Sequence, residues 1–143
     1  MRNANRVVLW ILLVILVGWA RVDTPVAQDD ARKALVGTWE GIVTQGSSSG
    51  PVRLEFSEQG QTLGWKWTWE ASVGKGEAEG AVAKFTPPTM ELSGRYTSHP
   101  VDGVRNSPIT MSLTLSGNQL PGNGLTTAVN REFSVSLTKK AAR

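Results

Sequence analysis

Residues Gly64 to Glu70 read Gly-Trp-Lys-Trp-Thr-Trp-Glu, and half of the chain's six tryptophans fall within them. Trp65, Trp67 and Trp69 alternate with Lys66, Thr68 and Glu70. A period of two puts three indoles on one face of a β-strand and the polar residues on the other. A helix, turning about 100° per residue, scatters the same indoles and buries no coherent face. The stretch is therefore a strand whose apolar side meets a core, a ligand or a partner.

The same alternation runs from Gly37 to the end of the chain. Trp39, Gly41 and Val43 share one face of the first strand, and Val52, Leu54 and Phe56 share one face of the next. A Ser/Gly loop, Gln45 to Gly50, separates them. Turns are expected at Glu58 to Gln61 and at Gly74-Lys75-Gly76. In Glu77 to Phe85, Ala81, Ala83 and Phe85 oppose Val82 and Lys84, and Pro87-Pro88 ends the strand because proline cannot donate to a ladder. Met90, Leu92, Gly94 and Tyr96 line one face of the following strand. Ser98 to Pro108 is the longest irregular connection. Ile109, Met111, Leu113 and Leu115 alternate cleanly with polar residues. Gln119 to Thr127 reads as a Gly-interrupted strand with a bulge at 122–124, and Phe133, Val135 and Leu137 mark the last strand.

About eight strands joined mostly by tight turns imply an all-β, antiparallel, up-and-down meander. One apolar face per strand has to be covered. Closure into an eight-stranded barrel covers it and removes the edges; a two-sheet sandwich accounts for the same periodicity.

The amino terminus is different. Arg2 and Arg6 precede an unbroken apolar run, Val7 to Val17, extended by Gly18, Trp19 and Ala20. That order is the one found in secretory signal peptides, and the run is shorter than the roughly 20 residues a spanning helix needs. The reading is a leader over 1–27, a linker over 28–36 with one helical turn at Ala31 to Leu35, and a barrel domain over 37–140. The location that follows is secreted or periplasmic, the alternative being an anchor through residues 7–20 that faces the domain away from the cytoplasm. Cleavage after Ala20 or after Ala27 is compatible with the residues present. No cysteine occurs, so no disulfide staples the domain and lipid attachment at a cysteine is excluded.

Charge narrows the partners. Of the 15 Lys/Arg residues Arg2, Arg6 and Arg21 precede Gln28, and of the 12 acids only Asp23 does, which leaves the domain one positive charge. No Lys/Arg cluster marks a phosphate-tracking face, and Lys66 points away from the indoles, so nucleic acid is not an expected partner. Membrane contact is expected only through the amino-terminal segment.

The chain is read as a non-enzyme without cofactor or metal. Its one histidine, His99, sits in Ser98-His99-Pro100 with Asp102 close behind, and residues adjacent in one loop do not converge as a catalytic triad does. One His and no Cys are too few ligands for zinc. Glu77 and Glu79 lack the cleft that paired carboxylates need, and no phosphate-binding Gly motif precedes a helix. That leaves the aromatic residues. Trp65, Trp67 and Trp69 either fill a packed barrel, or form with Tyr96, Met90 and Met111 the floor of a pocket for a small apolar or amphipathic molecule. A packed-core interaction module of the cell envelope is the alternative function.

Gly37-Thr38-Trp39, opening the first strand after Leu35-Val36, resembles the Gly-x-Trp signature of lipocalin-like and avidin-like barrels. The resemblance implies that Trp39 plugs one barrel end and that a basic residue near the last strand packs over it. Lys139 or Lys140 fits that place by antiparallel closure of the first and last strands, with Arg131 at the opposite end. The run from Leu113 through Gly124, with Phe133 to Leu137, is similar to the closing hairpin of small secreted bacterial barrels.

Overall fold

The computed structural model describes residues 25–142; the leader reading for 1–27 lies outside them except for Pro25 to Ala27, which open a helix. Helix α1 (Pro25–Leu35) is followed by β1 (Gly37–Gln45), β2 (Ser48–Gln59), β3 (Thr62–Ala71), β4 (Gly74–Thr86), β5 (Thr89–Ser98), β6 (Pro108–Thr114), β7 (Gln119–Thr126) and β8 (Arg131–Lys139). Each strand pairs antiparallel with the next, and β1 pairs with β8, so the sheet is a closed eight-stranded barrel. This excludes the sandwich. No described helix is long and apolar enough to cross a membrane.

Size complementarity sets the β3–β4 hairpin. Trp65, Trp67 and Trp69 stand opposite Gly80, Ala78 and Gly76. A Cβ on Gly76 would overlap the Trp69 indole, so the three large side chains have room because the facing strand supplies almost none of its own. On the outer face Lys66 opposes Glu79 and Glu70 opposes Lys75, opposite charges that favour the same register.

The two barrel ends differ. At one, α1 joins the β2–β3, β4–β5 and β6–β7 turns. The segment expected as a linker with one helical turn is in fact this longer helix. Proline opens it, where a missing N–H does no harm. Arg32 and Lys33 lie in its last turn, where cations suit the helix dipole. The last carbonyls of a helix need outside donors, and the barrel provides them. Trp39 Nε1 donates to the Leu35 carbonyl at 2.8 Å, and Lys139 Nζ donates to that of Ala34. Gly37 has a φ of 122°, which lets the chain turn directly from helix into β1. Lys139 Nζ lies 5.6 Å from the centre of the fully buried Trp39 ring, and Lys140 pairs with Glu40 at 2.6 Å. Arg32 and Gln28 tie α1 to the Gln61 and Phe85 carbonyls. This end is shut.

Three local readings need correction. The β3–β4 turn falls at Ser72-Val73, ahead of the glycines assigned to it. β7 runs through Gly122 and Gly124 without a bulge. The register shifts lie instead in β4–β5, between Glu77 and Ala78 and between Val82 and Lys84. Val82 follows Ala78 and Gly80 on the inner face, Ala81 and Ala83 are exposed against expectation, and the second shift returns Phe85 to the core side. Alternation cannot reveal a bulge among small residues, because either face of an alanine-rich strand looks apolar.

Candidate functional site

The other end gathers the β1–β2, β3–β4, β5–β6 and β7–β8 connections, and a cavity of about 480 Å³ opens there. Trp67 and Phe133 form its floor, with ring centres 5.8 Å apart. Strand period places Trp69 two residues above Trp67, where it is only half-buried and forms a wall. Val43 on β1 and Val104 from the β5–β6 connection add apolar surface.

Two polar features interrupt this lining. Tyr96 and Thr126 share a buried hydrogen bond of 2.8 Å between their hydroxyls. Burial pushes the Tyr96 phenol above its ordinary value, so it stays neutral. His99 packs edge-on to Tyr96 with ring centres 5.0 Å apart, and lies 5.3 Å from the Trp69 ring. Its Nδ1 accepts from the Val101 N–H at 3.0 Å; the neutral ring then carries its proton on Nε2.

The long connection is folded back onto β5. Tyr96 N–H donates to the Ser107 carbonyl, Asn106 N–H to that of Tyr96, and the Arg95 guanidinium to that of Asn106. These bonds turn Val104 inward to almost full burial and leave Val101 at the rim. Val73 and Val129, on two other connections, are exposed on the same rim.

Trp67, Trp69 and Tyr96 of the expected pocket set line the cavity; Trp65, Met90 and Met111 do not. Trp65 lies deeper, its Nε1 donating to the Ala81 carbonyl at 3.0 Å. Met90 faces Leu113, and Met111 faces Leu92, in the packed closed half. Size and polarity suggested these three, but position along the barrel axis decides access. Phe133, Val43, Val104, Thr126, Arg131 and His99 were missed as lining residues. An up-and-down meander offered a usable signal, since alternate connections share one end, and each of these residues lies in or near such a connection. Gly37, Trp39 and Lys139 meet at the shut end, away from the cavity.

Among the described residues Ser98, His99 and Asp102 form no nucleophile–base pair: the His99 Nδ1 partner is backbone, and Asp102 is exposed. No group of three or more His, Asp or Glu among them is placed to hold a metal. Glu77 and Glu79 are exposed on the outer face of β4. They border a broader depression of about 750 Å³ lined mainly by the polar outer face of the sheet, whereas the mouth combines an apolar floor with convergent polar groups.

With a single histidine in the chain, its titration is directly readable. Burial pushes His99 below the ordinary histidine value of 6.5. An NMR titration should give a midpoint below that of the unfolded chain. The unfolded chain then binds the proton first, so the His99 contribution to stability is fully present above pH 6.5 and declines as pH falls toward the folded midpoint. A midpoint at or above the unfolded value would place the ring in solvent rather than between Trp69 and Tyr96.

Fold and cavity together define a small β-barrel with one shut and one open end. Neither a family model nor a curated protein matches the chain.

Proposed function

We propose that this chain is a secreted or periplasmic binding protein that holds a small apolar or amphipathic molecule in the barrel mouth. The observation that carries the reading is the cavity of about 480 Å³, within the range of roughly 300–1,000 Å³ usual for small-molecule sites. Its composition supports the same conclusion: aromatic and aliphatic side chains below, a few hydrogen-bonding groups above. The closed barrel, with Gly37-x-Trp39 opening β1, supports placing the chain beside lipocalin-like and avidin-like barrels. The basic start and apolar run of residues 2–20 support export.

Trp67 and Trp69 make binding visible. Titration with farnesol, decanol or a haem-like porphyrin should give a saturable change in tryptophan emission for at least one of them. Val43→Phe, which fills part of the mouth without touching the shut end, should weaken that binding roughly tenfold, about 1.4 kcal/mol. Absence of any saturable change across the panel would remove the reading.

One observation favours a second function, docking to a protein of the cell envelope. Val73, Val101 and Val129 stand 64%, 48% and 44% exposed on three separate connections around one rim. Crosslinking in whole cells through these positions should then recover a specific protein partner, and recovery of monomer alone would set this function aside.

A further inference from the structure

The charge lining the mouth is one-sided. Among the described residues, Arg131 is the one formally charged residue around the cavity, and no carboxylate lines it. Three other cations of the barrel are ion-paired: Arg53 with Glu55, Lys75 with Glu70, and Lys140 with Glu40. Arg131 makes no side-chain hydrogen bond or ion pair among the described residues.

Its place on the strand matters as much. Arg131 opens β8 opposite Thr126, and Phe133 lies two residues further on the same face. At about 3.3 Å per residue, the guanidinium-bearing position stands roughly 7 Å above the aromatic floor. The other polar groups bordering the mouth are donors or neutral. His99 has Nδ1 occupied by Val101 and offers Nε2–H, and Ser48 and Ser49 add hydroxyls. A cation at this position meets a like charge and no acceptor of full charge; a carboxylate meets a planar fork suited to both of its oxygens.

We propose that the mouth selects amphiphiles bearing a carboxylate, with the apolar body on Trp67 and Phe133 and the carboxylate at Arg131. The inference rests on the ligand-binding reading of the cavity and adds the charge of the ligand. Arg131 is solvent-exposed, so its attraction is partly screened and the discrimination is moderate rather than absolute.

Three probes of equal chain length separate the possibilities: decanoate, decanol and decylamine, titrated at neutral pH below their aggregation limits. Decanoate should bind the wild-type chain about tenfold more tightly than decanol, and decylamine most weakly. Arg131→Gln should bring decanoate to the level of decanol and leave decanol unchanged, while Arg131→Lys should restore part of the preference. Raising ionic strength from about 0.01 M to about 0.15 M should weaken decanoate and spare decanol. Thermal melts of both variants should match wild type, as expected for an exposed side chain. Equal affinity for decanoate and decanol, unaffected by Arg131→Gln, overturns the carboxylate assignment and leaves the apolar cavity standing. Failure of all three probes overturns the carboxylate assignment, and only failure of farnesol and the porphyrin as well overturns the apolar cavity.

Discussion

Trp39→Ala is expected to lower stability by about 3–5 kcal/mol, the range for removing a large buried aromatic side chain. Typical domains have only about 5–15 kcal/mol in total, so this variant should stand near the edge of folding at room temperature. The size follows from three losses at one place. Trp39 is fully buried against the barrel's shut end, and its removal leaves a void that backbone hydrogen-bonded on both sides of β1 cannot collapse to fill. The Leu35 carbonyl loses its indole donor. Lys139 loses the ring it lies over. Trp39→Phe separates these effects, since it keeps most of the packing but orphans that carbonyl, a change of about 1–3 kcal/mol. Urea unfolding with hydrogen exchange on α1 reads both variants. A midpoint for Trp39→Ala close to that of wild type would mean that the indole does not hold the helix to the barrel.

The second large effect is expected from adding one methyl group. Gly41 lies in β1 opposite Leu137 on β8 and Val52 on β2. A Cβ there would overlap the Ser136 carbonyl oxygen and crowd the Leu137 Cα. These are backbone atoms, so no rotamer change relieves the contact and β1 must move away from β8. That pairing is the seam at which the barrel closes. Gly41→Ala should therefore fall at or above the upper end of the roughly 1–3 kcal/mol usual for overpacking. Gly46→Ala supplies the comparison. Its φ is 59° with open space around the Cβ position, and the left-handed conformation alone costs about 1–2 kcal/mol. Thermal melts should rank Gly41→Ala well below Gly46→Ala. The reverse order would mean that the seam has slack.

Much of this barrel could be read from side-chain order because β geometry is strictly periodic. Trp65, Trp67 and Trp69 against Lys66, Thr68 and Glu70 leave no second conformation that hides the indoles together. The same reasoning applies to Ile109, Met111 and Leu113. It failed where residues are small or where the backbone slips. In β4 the shared face of Val82 and Phe85 turned on a register shift that no pattern in Gly-Ala-Val-Ala-Lys discloses. The linker reading of residues 28–36 failed for another reason. A segment of weak intrinsic pattern became a helix because Lys139 and two turns distant in sequence, with the nearby Trp39, offer its groups partners.

The candidate site was legible in kind and not in place. Aromatic residues marked which strands carried the apolar load, yet Trp65, Met90 and Met111 qualified as readily as Trp67 and Tyr96. Alternation tells inside from outside; it does not measure height along the barrel axis. Height is fixed by which connections share an end and by what fills that end. His99 and Arg131 acquire meaning only when the β5–β6 and β7–β8 connections are brought to one mouth.

By itself, then, the order of residues determined an antiparallel β domain with one apolar face per strand, because period-two patterning has a single way to escape water. The tertiary structure chose the expected barrel over the sandwich, and it alone decided that α1 shuts one end and that the other stays open beneath Arg131 and His99. Closure and capping depend on contacts between residues a hundred positions apart, such as Lys140 with Glu40, and local sequence carries no record of such meetings until the chain has folded.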